Sequence, residues 1–571
     1  MNKNLDINTF RHSFAHVMAH AVKNIYSDVK LGIGPAIENG FYYDFDLPEK
    51  ISDKDLEKIE REMRKIIKKN TPFECLRVNK EQAAELLKDE PYKLELLNEL
   101  PSDEATFYKE TTFMDLCKGP HVDNTGKLKF FKLLKVAGSY WRGNEKNQML
   151  QRIYGVAFSS QEELENYLQF LKEAEKRDHR KLGQTLDIFS IYEEAGAGFV
   201  YYSPNGAMLK HIIEDFIWNE NCKRGYQQVI TPHIARVNLW KKSGHYDHYK
   251  ENMYFFDVDN ETQVVKPMNC PGHILIYNNK LRSYRDLPIR FAEFGTVYRY
   301  EKSGVLHGLL RVRGFTQDDA HIFCMQDQLQ EEITSILGYI NTIMSIFDFK
   351  YDVFLSTRPE NYVGSDENWD KATKALSTAL SKMNIPYAID PGEGVFYGPK
   401  IDIKLKDALG RYWQGPTVQV DFNLPERFAL KYVDKDGNRK TPIMIHRVIL
   451  GSLERFIGAI IEHYAGAFPV WLAPVQVKIL TISNEHEVYG DILMDKLLTA
   501  GVRADKDYRK EKIGYKIRAA QTEKIPFMLI VGDKEVSEEK IAVRHRSSGD
   551  KGSMTIESFL ETIKEIIDNK E

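Results

Sequence analysis

Between Arg311 and Cys324 the chain reads RVRGFTQDDAHIFC: two arginines, a glutamine, two aspartates and a histidine set among short apolar residues. A strand built only to pack has no use for so many polar side chains. In extended backbone successive side chains alternate between faces, so Arg311, Arg313, Phe315, Gln317, Asp319 and His321 are predicted to share a face that is a polar site, not a core layer. Arg299, twelve residues before Arg311 in FGTVYRYE, belongs to a second short strand, and the joining KSGVLHGLL has two glycines and hairpin-loop composition. Two arginine-bearing strands around a loop suit an anionic, phosphate-carrying substrate, because a guanidinium makes paired, charge-assisted hydrogen bonds to phosphate.

Histidines and cysteines recur elsewhere. HSFAH places His12 and His16 at i, i+4 on one helix face, with His20 extending the stripe, and DLCKGPH supplies Asp115, Cys117 and His121. Two histidines with a Cys/His pair suggest zinc; a helix face of solvated histidines is the plainer alternative. Cys270, His321 and His446 lie far apart, so their spacing reveals no metal site. A lone Cys or His is more often buried and inert.

These residues must be positioned by several domains, since 571 residues exceed what one core organises. The region 1–158 mixes strand-like stretches such as GFYYDFD with a helix from Ser52 to Lys69, opened by a Ser52/Asp55 capping box. A second helix follows Ser160, ends in the charged EAEKRDHRK and connects domains over 159–185. Region 186–468 alternates strand and helix signals and holds RVRGFTQDDAHIFC. Region 469–571 repeats a strand-helix rhythm in VKILTIS, YGDILMDKLLTAG, IPFMLIVGDKE and a terminal helix, which predicts an α/β domain. A net charge of −4 leaves no chain-wide basic excess, so any RNA contact must come from local patches such as KDYRKEKIGYKIR. Five scattered cysteines without a CxxC pair, no signal peptide and no long apolar run predict a soluble cytoplasmic protein without a membrane span.

YRYE, Tyr298 to Glu301, followed by a loop and a second strand, resembles motif 2 of the class II aminoacyl-tRNA synthetases. GSLERFIGAIIE, with Arg455, is similar to motif 3, and Pro232 in VITPHIARVNLW to the motif 1 proline. MNCPGH, RGFTQDDAHIF and MIHRVILGSLERF in this order resemble the threonyl-tRNA synthetases. The resemblance implies an α+β multidomain chain: an editing domain at 1–158, a linker helix at 159–185, a class II antiparallel sheet flanked by helices at 186–468, and an anticodon-binding domain at 469–571.

It also implies roles. Cys270, His321 and His446 fall at the family's zinc positions, three ligands with a vacant fourth. Threonine and valine are near isosteres that a hydrophobic pocket separates poorly, and zinc reading both the amino group and the β-hydroxyl would separate them, with Asp319 accepting the hydroxyl proton. Arg299 would hold the ATP α-phosphate and the threonine carboxylate, and Arg455 the γ-phosphate, with Mg2+ bridging phosphates. Glu301 would orient the adenine, Arg311 and Gln317 line the reacting centre, and Tyr397, Gln414, Thr417 and Gln419 frame the amino acid and adenosine.

Serine keeps the hydroxyl and lacks one methyl, worth roughly 1–3 kcal/mol, so a second, hydrolytic site is expected. HxxxH with CxxxH resembles the editing domain shared by threonyl- and alanyl-tRNA synthetases, which implies Ser-tRNA hydrolysis by His12, His16, Asp115, Cys117 and His121, with Lys93 contributing and no obligatory zinc. In the last domain Glu535, Arg544 and Lys510 are candidates for anticodon contacts; this chain has RKEKIG where bacterial members often have RNEKIG. Bacterial members usually begin with a TGS domain of about sixty residues, by that resemblance absent here, where HSFAH opens the chain almost directly. The reaction implied is threonine and ATP to threonyl-adenylate, then transfer to tRNA(Thr), in a homodimer joined through motif 1. Alternatives are a non-catalytic, RNA-binding paralogue, which would have lost arginines or metal ligands present here, and a free-standing deacylase.

Overall fold

The computed structural model describes residues 6–407 and 410–571, which form two compact units divided between Lys172 and Glu173. In the first unit the helix Ile7–Ile25 begins where the Asp6 side chain accepts the Asn8 N–H. Its apolar residues Phe14, Val17, Met18 and Ala21 close against a five-stranded antiparallel sheet, ordered Lys30–Leu31, Gly40–Asp46, Met149–Phe158 and Phe130–Tyr140, with Ala36–Ile37 on Gly40–Asp46. The Ser52/Asp55 capping box is present, and opens a 3-10 turn that runs into the helix Leu56–Lys68. A three-stranded sheet, Glu74–Asn79, Glu104–Glu110 and Phe113–Leu116, and the helix Pro91–Asn98 bring up the remaining polar residues.

The helix after Ser160 spans Gln161–Lys176, and the charged tail read as its continuation breaks there. Asp178 leaves the helical conformation at φ −52°, ψ 115°, its carboxylate accepts the Arg180 N–H, and a new helix, His179–Thr185, starts. An aspartate at a cap competes with continued helix in this way.

The second unit is organised by an eight-stranded sheet, counted among the described residues, in the order Gln227–Gln228, Ile289–Tyr298, Gly314–Cys324, Ile443–Ser452, Tyr412–Asp421, Lys400–Lys406, Lys350–Ser356 and Ala388–Asp390. It is antiparallel except for the outermost pair at each edge. Helices Pro204–Lys223, Leu329–Ile346, Asp366–Lys382 and Leu453–His463 bury Ile213, Ile333, Leu376 and Ile457 in the same core. A further five-stranded sheet, ordered Ala504–Asp507, Val477–Thr481, Phe527–Val531, Ile541–His545 and Gly549–Met554, ends the chain together with its helices. No helix among the described residues is long and apolar enough to cross a membrane, and all five cysteines are free thiols.

Candidate active site

The central strand begins at Gly314, three residues later than its polar pattern suggested, because Arg311 bridges back to His307 and the Arg313 N–H goes to Gly198 O. Arg299 likewise stands one residue beyond the end of its strand. The two adjacent aspartates then part. Asp318 points into the core beside Arg447, and its carboxylate accepts the N–H groups of Ile449, Leu450 and Gly451 at 2.7, 3.0 and 3.0 Å. This wraps the strand Ile443–Ser452 into a bulge, with Gly451 at φ +83° where a side chain would be strained. The bulge ends at Ser452, whose side chain caps the helix bearing Arg455. Burial raises the Asp318 pKa to about 6.

Asp319 faces the site and accepts from Asn269 Nδ2 at 3.1 Å. Two residues on, His321 lies directly across from His446 on the neighbouring strand. Cys270, at the start of the helix Cys270–Tyr277, completes a set whose ligand atoms all lie within 4.8 Å of one another. Each histidine has one nitrogen engaged from outside: His446 Nε2 meets Asp421 Oδ2 at 3.0 Å, and His321 Nδ1 meets His273 Nδ1 at 2.8 Å. His273 Nε2 in turn lies 3.2 Å from Glu293. Burial and the neighbouring imidazoles hold His321 well below its ordinary pKa, in the neutral form a metal binds. A thiol and two outward-anchored imidazoles are the donor set of three-ligand zinc sites.

Beside this set Arg299, Glu301, Arg311, Phe315, Ser452 and Arg455 line a cavity of about 170 Å3. Arg299 lies over the Phe315 ring at 5.1 Å and its Nε donates to Pro267 O at 3.2 Å; the Nε of Arg455 donates to Leu310 O at the same distance. Both guanidiniums are thus fixed through Nε, with the paired Nη groups left for a ligand. Burial, with Arg299 and Arg311 nearby, lowers the Arg455 pKa, the signature of a cavity short of negative charge. Glu301 is held by Arg311 at 3.0 Å. Gln317 pairs in register with Ser452, Gln419 with His446, and the Tyr397 ring lies 5.5 Å from that of His446. Gln419 Nε2 is buried without a partner, a spare donor at the centre. Gln414 is exposed and, with Thr417, donates to Asp402 at 2.9 and 3.3 Å.

Next to Arg455, Glu454 is buried and accepts the Thr316 N–H at 2.8 Å; burial raises its pKa to about 7. A carboxylate raised in the folded state contributes stability that is full below its unfolded pKa and lost as pH climbs through 7. Glu454→Gln keeps an acceptor for Thr316 and removes the titration, so its thermal midpoint relative to wild type should be higher at pH 8 than at pH 5, by at most about 3 kcal/mol in stability. An offset independent of pH would refute the assignment.

The first unit holds a second constellation around a cavity of about 460 Å3 lined by His12, His16, Tyr43, Lys93, Asp115 and Cys117 among others. Cys117 Sγ lies 3.2 Å from both His12 Nε2 and His121 Nε2, and His121 Nδ1 is 3.1 Å from Ser13 Oγ. Asp115 accepts from Tyr43 OH at 2.5 Å and from Lys93 Nζ at 2.8 Å. His16 is buried with both nitrogens unpartnered, and His20 is buried against Glu110 at 2.8 Å, which removes the solvated-face alternative for both. Burial lowers the pKa of His12, takes that of His121 to about 2 and raises that of Cys117 to about 11. At neutral pH the cluster is two neutral imidazoles around an uncharged thiol, poor as a thiolate nucleophile, with His121 too weak a base to take a proton and His12 the better base of the two.

Residues 254–464 match the tRNA synthetase class II core domain of the G, H, P, S and T enzymes, 476–566 the anticodon binding domain, and 106–154 the threonyl and alanyl tRNA synthetase second additional domain. The threonine–tRNA ligase of Acetivibrio thermocellus is 55% identical over 565 residues, covering 98% of this chain and 89% of that protein. The chain belongs to the threonine–tRNA ligase family. The family's member from Caldanaerobacter subterraneus subsp. tengcongensis is 54% identical over 97% of this chain and 87% of its own length. A crystal structure of the RNA binding domain of threonyl-tRNA synthetase from Cryptosporidium parvum superposes with a TM-score of 0.67 at 42% identity, over 68% of this chain and 98% of that one. The motif resemblance, the class II fold and the ligase class are thereby borne out.

In this threonine–tRNA ligase half of the basic run Lys506–Arg518 is engaged within the last domain, as is the neighbouring Arg503. Arg503 donates to Trp471 O at 2.8 Å, Lys506 pairs with Asp491, Arg509 with Asp507, and Lys516 is buried against Thr481 O and Asp507 O. Lys510, Lys512 and Arg518 have no ion-pair partner among the described residues. Glu535 accepts the Gly532 N–H at 3.0 Å, capping its own helix, while Arg544 Nε is buried without a partner. Several residues of the ligase's sites escaped sequence reasoning. His273 stands three positions after Cys270 in MNCPGH, one helical turn away, and Asp421 two after Gln419, on the same strand face. His245 is fully buried with Nε2 4.0 Å from Cys270 Sγ, and Tyr43 and Ser13 join the first-unit cluster through contacts between distant segments.

Proposed function

We propose that this ligase selects threonine through a zinc ion held by Cys270, His321 and His446, activates it as threonyl-adenylate, transfers it to tRNA(Thr), and clears Ser-tRNA(Thr) in its first unit. The observation that carries the reading is the convergence of those three donors beside the arginine cavity. Bound there, zinc would supply a Lewis-acidic position open to an amino and a hydroxyl group. Asp319, its pKa raised by burial, accepts the hydroxyl proton. Gln419 and Tyr397 close the pocket around the amino acid. Arg299 orients the carboxylate against the α-phosphate and Arg455 takes the γ-phosphate, with Mg2+ accompanying ATP; Glu301 and Arg311 exchange their mutual pair for substrate contacts, and Gln317, Gln414 and Thr417 complete the nucleotide side.

The chain is laid out as an editing domain over 1–158, a linker over 159–185, a catalytic domain over 186–468 and an anticodon-binding domain over 469–571, with Lys510, Glu535 and Arg544 facing the anticodon. Pro232 is flanked by Ile230 and Ile234, 84% and 50% exposed, an apolar edge that suits a homodimer. A catalytically silent RNA-binding paralogue is disfavoured by the presence of every arginine and metal donor.

Editing is the separable part. Neutral His12 activates water, His121 holds Cys117 beside it, Lys93 and Asp115 hold the aminoacyl end, and His16 packs the base of the cleft. His12→Ala should cut Ser-tRNA(Thr) hydrolysis by about 10²–10³-fold while threonine-dependent pyrophosphate exchange is retained, and hydrolysis by the wild type should survive chelation. Complete loss on chelation would show a required metal at this cluster and sink the water-activation reading.

A further inference from the structure

Glu462, one residue before the end of the helix that carries Arg455, is buried. Its Oε1 accepts the His179 backbone N–H at 3.2 Å and meets His179 Nδ1 at 2.7 Å, while Oε2 is paired with Arg411. His179 is fully buried at the start of its helix, and its second ring nitrogen, Nε2, accepts the N–H of Leu309 at 3.1 Å. A backbone N–H can only donate, so Nε2 carries the lone pair and Nδ1 the proton that goes to Glu462.

The next residue makes the connection to the site, because the carbonyl of Leu310 is the group that fixes Arg455 Nε. The segment has little freedom. A Cβ on Gly308, which sits at φ +46°, would meet His179 Nε2 at 2.1 Å, and one on Gly458, in the Arg455 helix, would come within 3.2 Å of Leu309 Cβ. The returning limb of the motif 2 loop is therefore seated between an imidazole and a bare patch of the motif 3 helix. Asp178, His179 and Glu462 stand close enough to suggest a metal site, but Asp178 is occupied by Arg180 through Nε and Nη2 at 3.0 and 2.5 Å, and both His179 nitrogens are used.

We propose that His179 is a positioning residue for ATP: it holds the Leu309–Leu310 segment so that Leu310 O presents the Arg455 guanidinium to the triphosphate. This rests on the reading of Arg455 as a phosphate ligand. The asparagine side chain reaches the place of Nδ1, keeping a partner for Glu462 and orphaning the Leu309 N–H; glutamine reaches the place of Nε2 and restores an acceptor. In His179→Asn, hydrogen–deuterium exchange at the Leu309 amide should speed up, and the KM for ATP in pyrophosphate exchange should rise roughly tenfold with the KM for threonine within about twofold. His179→Gln should bring both back to within about threefold of wild type. Gly308→Ala, which pushes the loop off the imidazole from the other side, should reproduce the asparagine phenotype if either histidine variant folds poorly.

Unchanged Leu309 protection in His179→Asn, equal damage in the asparagine and glutamine variants, or a rise in the threonine KM matching that for ATP would each overturn the proposal. Arg455→Ala separates the two layers. If it leaves the KM for ATP unchanged, the reading of Arg455 fails, while Leu309 exchange still decides whether His179 seats the loop.

Discussion

Cys270→Ser is expected to lower threonine activation by about 10³-fold or more. A serine hydroxyl is a poor zinc ligand, and His321 and His446 alone would leave two donors where a three-ligand site needs three. Metal content should fall with activity, and the residual enzyme should distinguish threonine from valine no better than the roughly 10²-fold that a hydrophobic pocket achieves against an isostere. Full metal content and undiminished threonine preference in the variant would remove Cys270 from the site.

Arg299→Ala carries the second large effect, a fall of about 10²–10⁴-fold in kcat for adenylate formation. The guanidinium lies over the Phe315 and Tyr249 rings at 5.1 and 5.5 Å and is held through Nε by Pro267 O, so its forked Nη pair is already aimed when substrate arrives. Lysine at this position should rescue little, since a point charge lacks both the fork and the stacking face. Pyrophosphate exchange and metal content read together separate this loss from that of Cys270→Ser: the arginine variant should keep its metal.

How legible these sites were depends on distance along the chain. The polar density of RVRGFTQDDAHIFC marked Asp319 and His321 as site residues, and YRYE marked Arg299, because local composition broke the pattern of a packing strand. Strand alternation also separated Asp319, on the site face, from Asp318, which turns into the core. What satisfies the inward Asp318 was not legible, because its partners are the N–H groups of the bulge at Ile449–Gly451, on a strand more than a hundred residues later. Cys270, His321 and His446 meet only through strand pairing and a helix start, so their spacing was silent and only the family resemblance joined them as a metal set. His179 looked like part of a charged connector; its burial follows from Glu462, far down the chain. In the run KDYRKEKIGYKIR charge alone did not show which cations are engaged at home: Lys506, Arg509 and Lys516 meet Asp491, Asp507 and backbone carbonyls. Helix caps and amphipathic stripes, being local, were read well. The split after Lys176 was not, because Asp178 serves equally as a charged helix residue or as a cap.

The central claim is that the three donors read the threonine hydroxyl through a metal while the arginines run the nucleotide chemistry. Amino-acid-dependent ATP–pyrophosphate exchange with threonine, serine and valine, before and after metal is stripped, tests it most directly. Strong exchange with threonine, weaker with serine, almost none with valine, and loss on stripping with recovery on adding zinc back is the predicted result. Threonine exchange that persists undiminished in metal-free enzyme would contradict it.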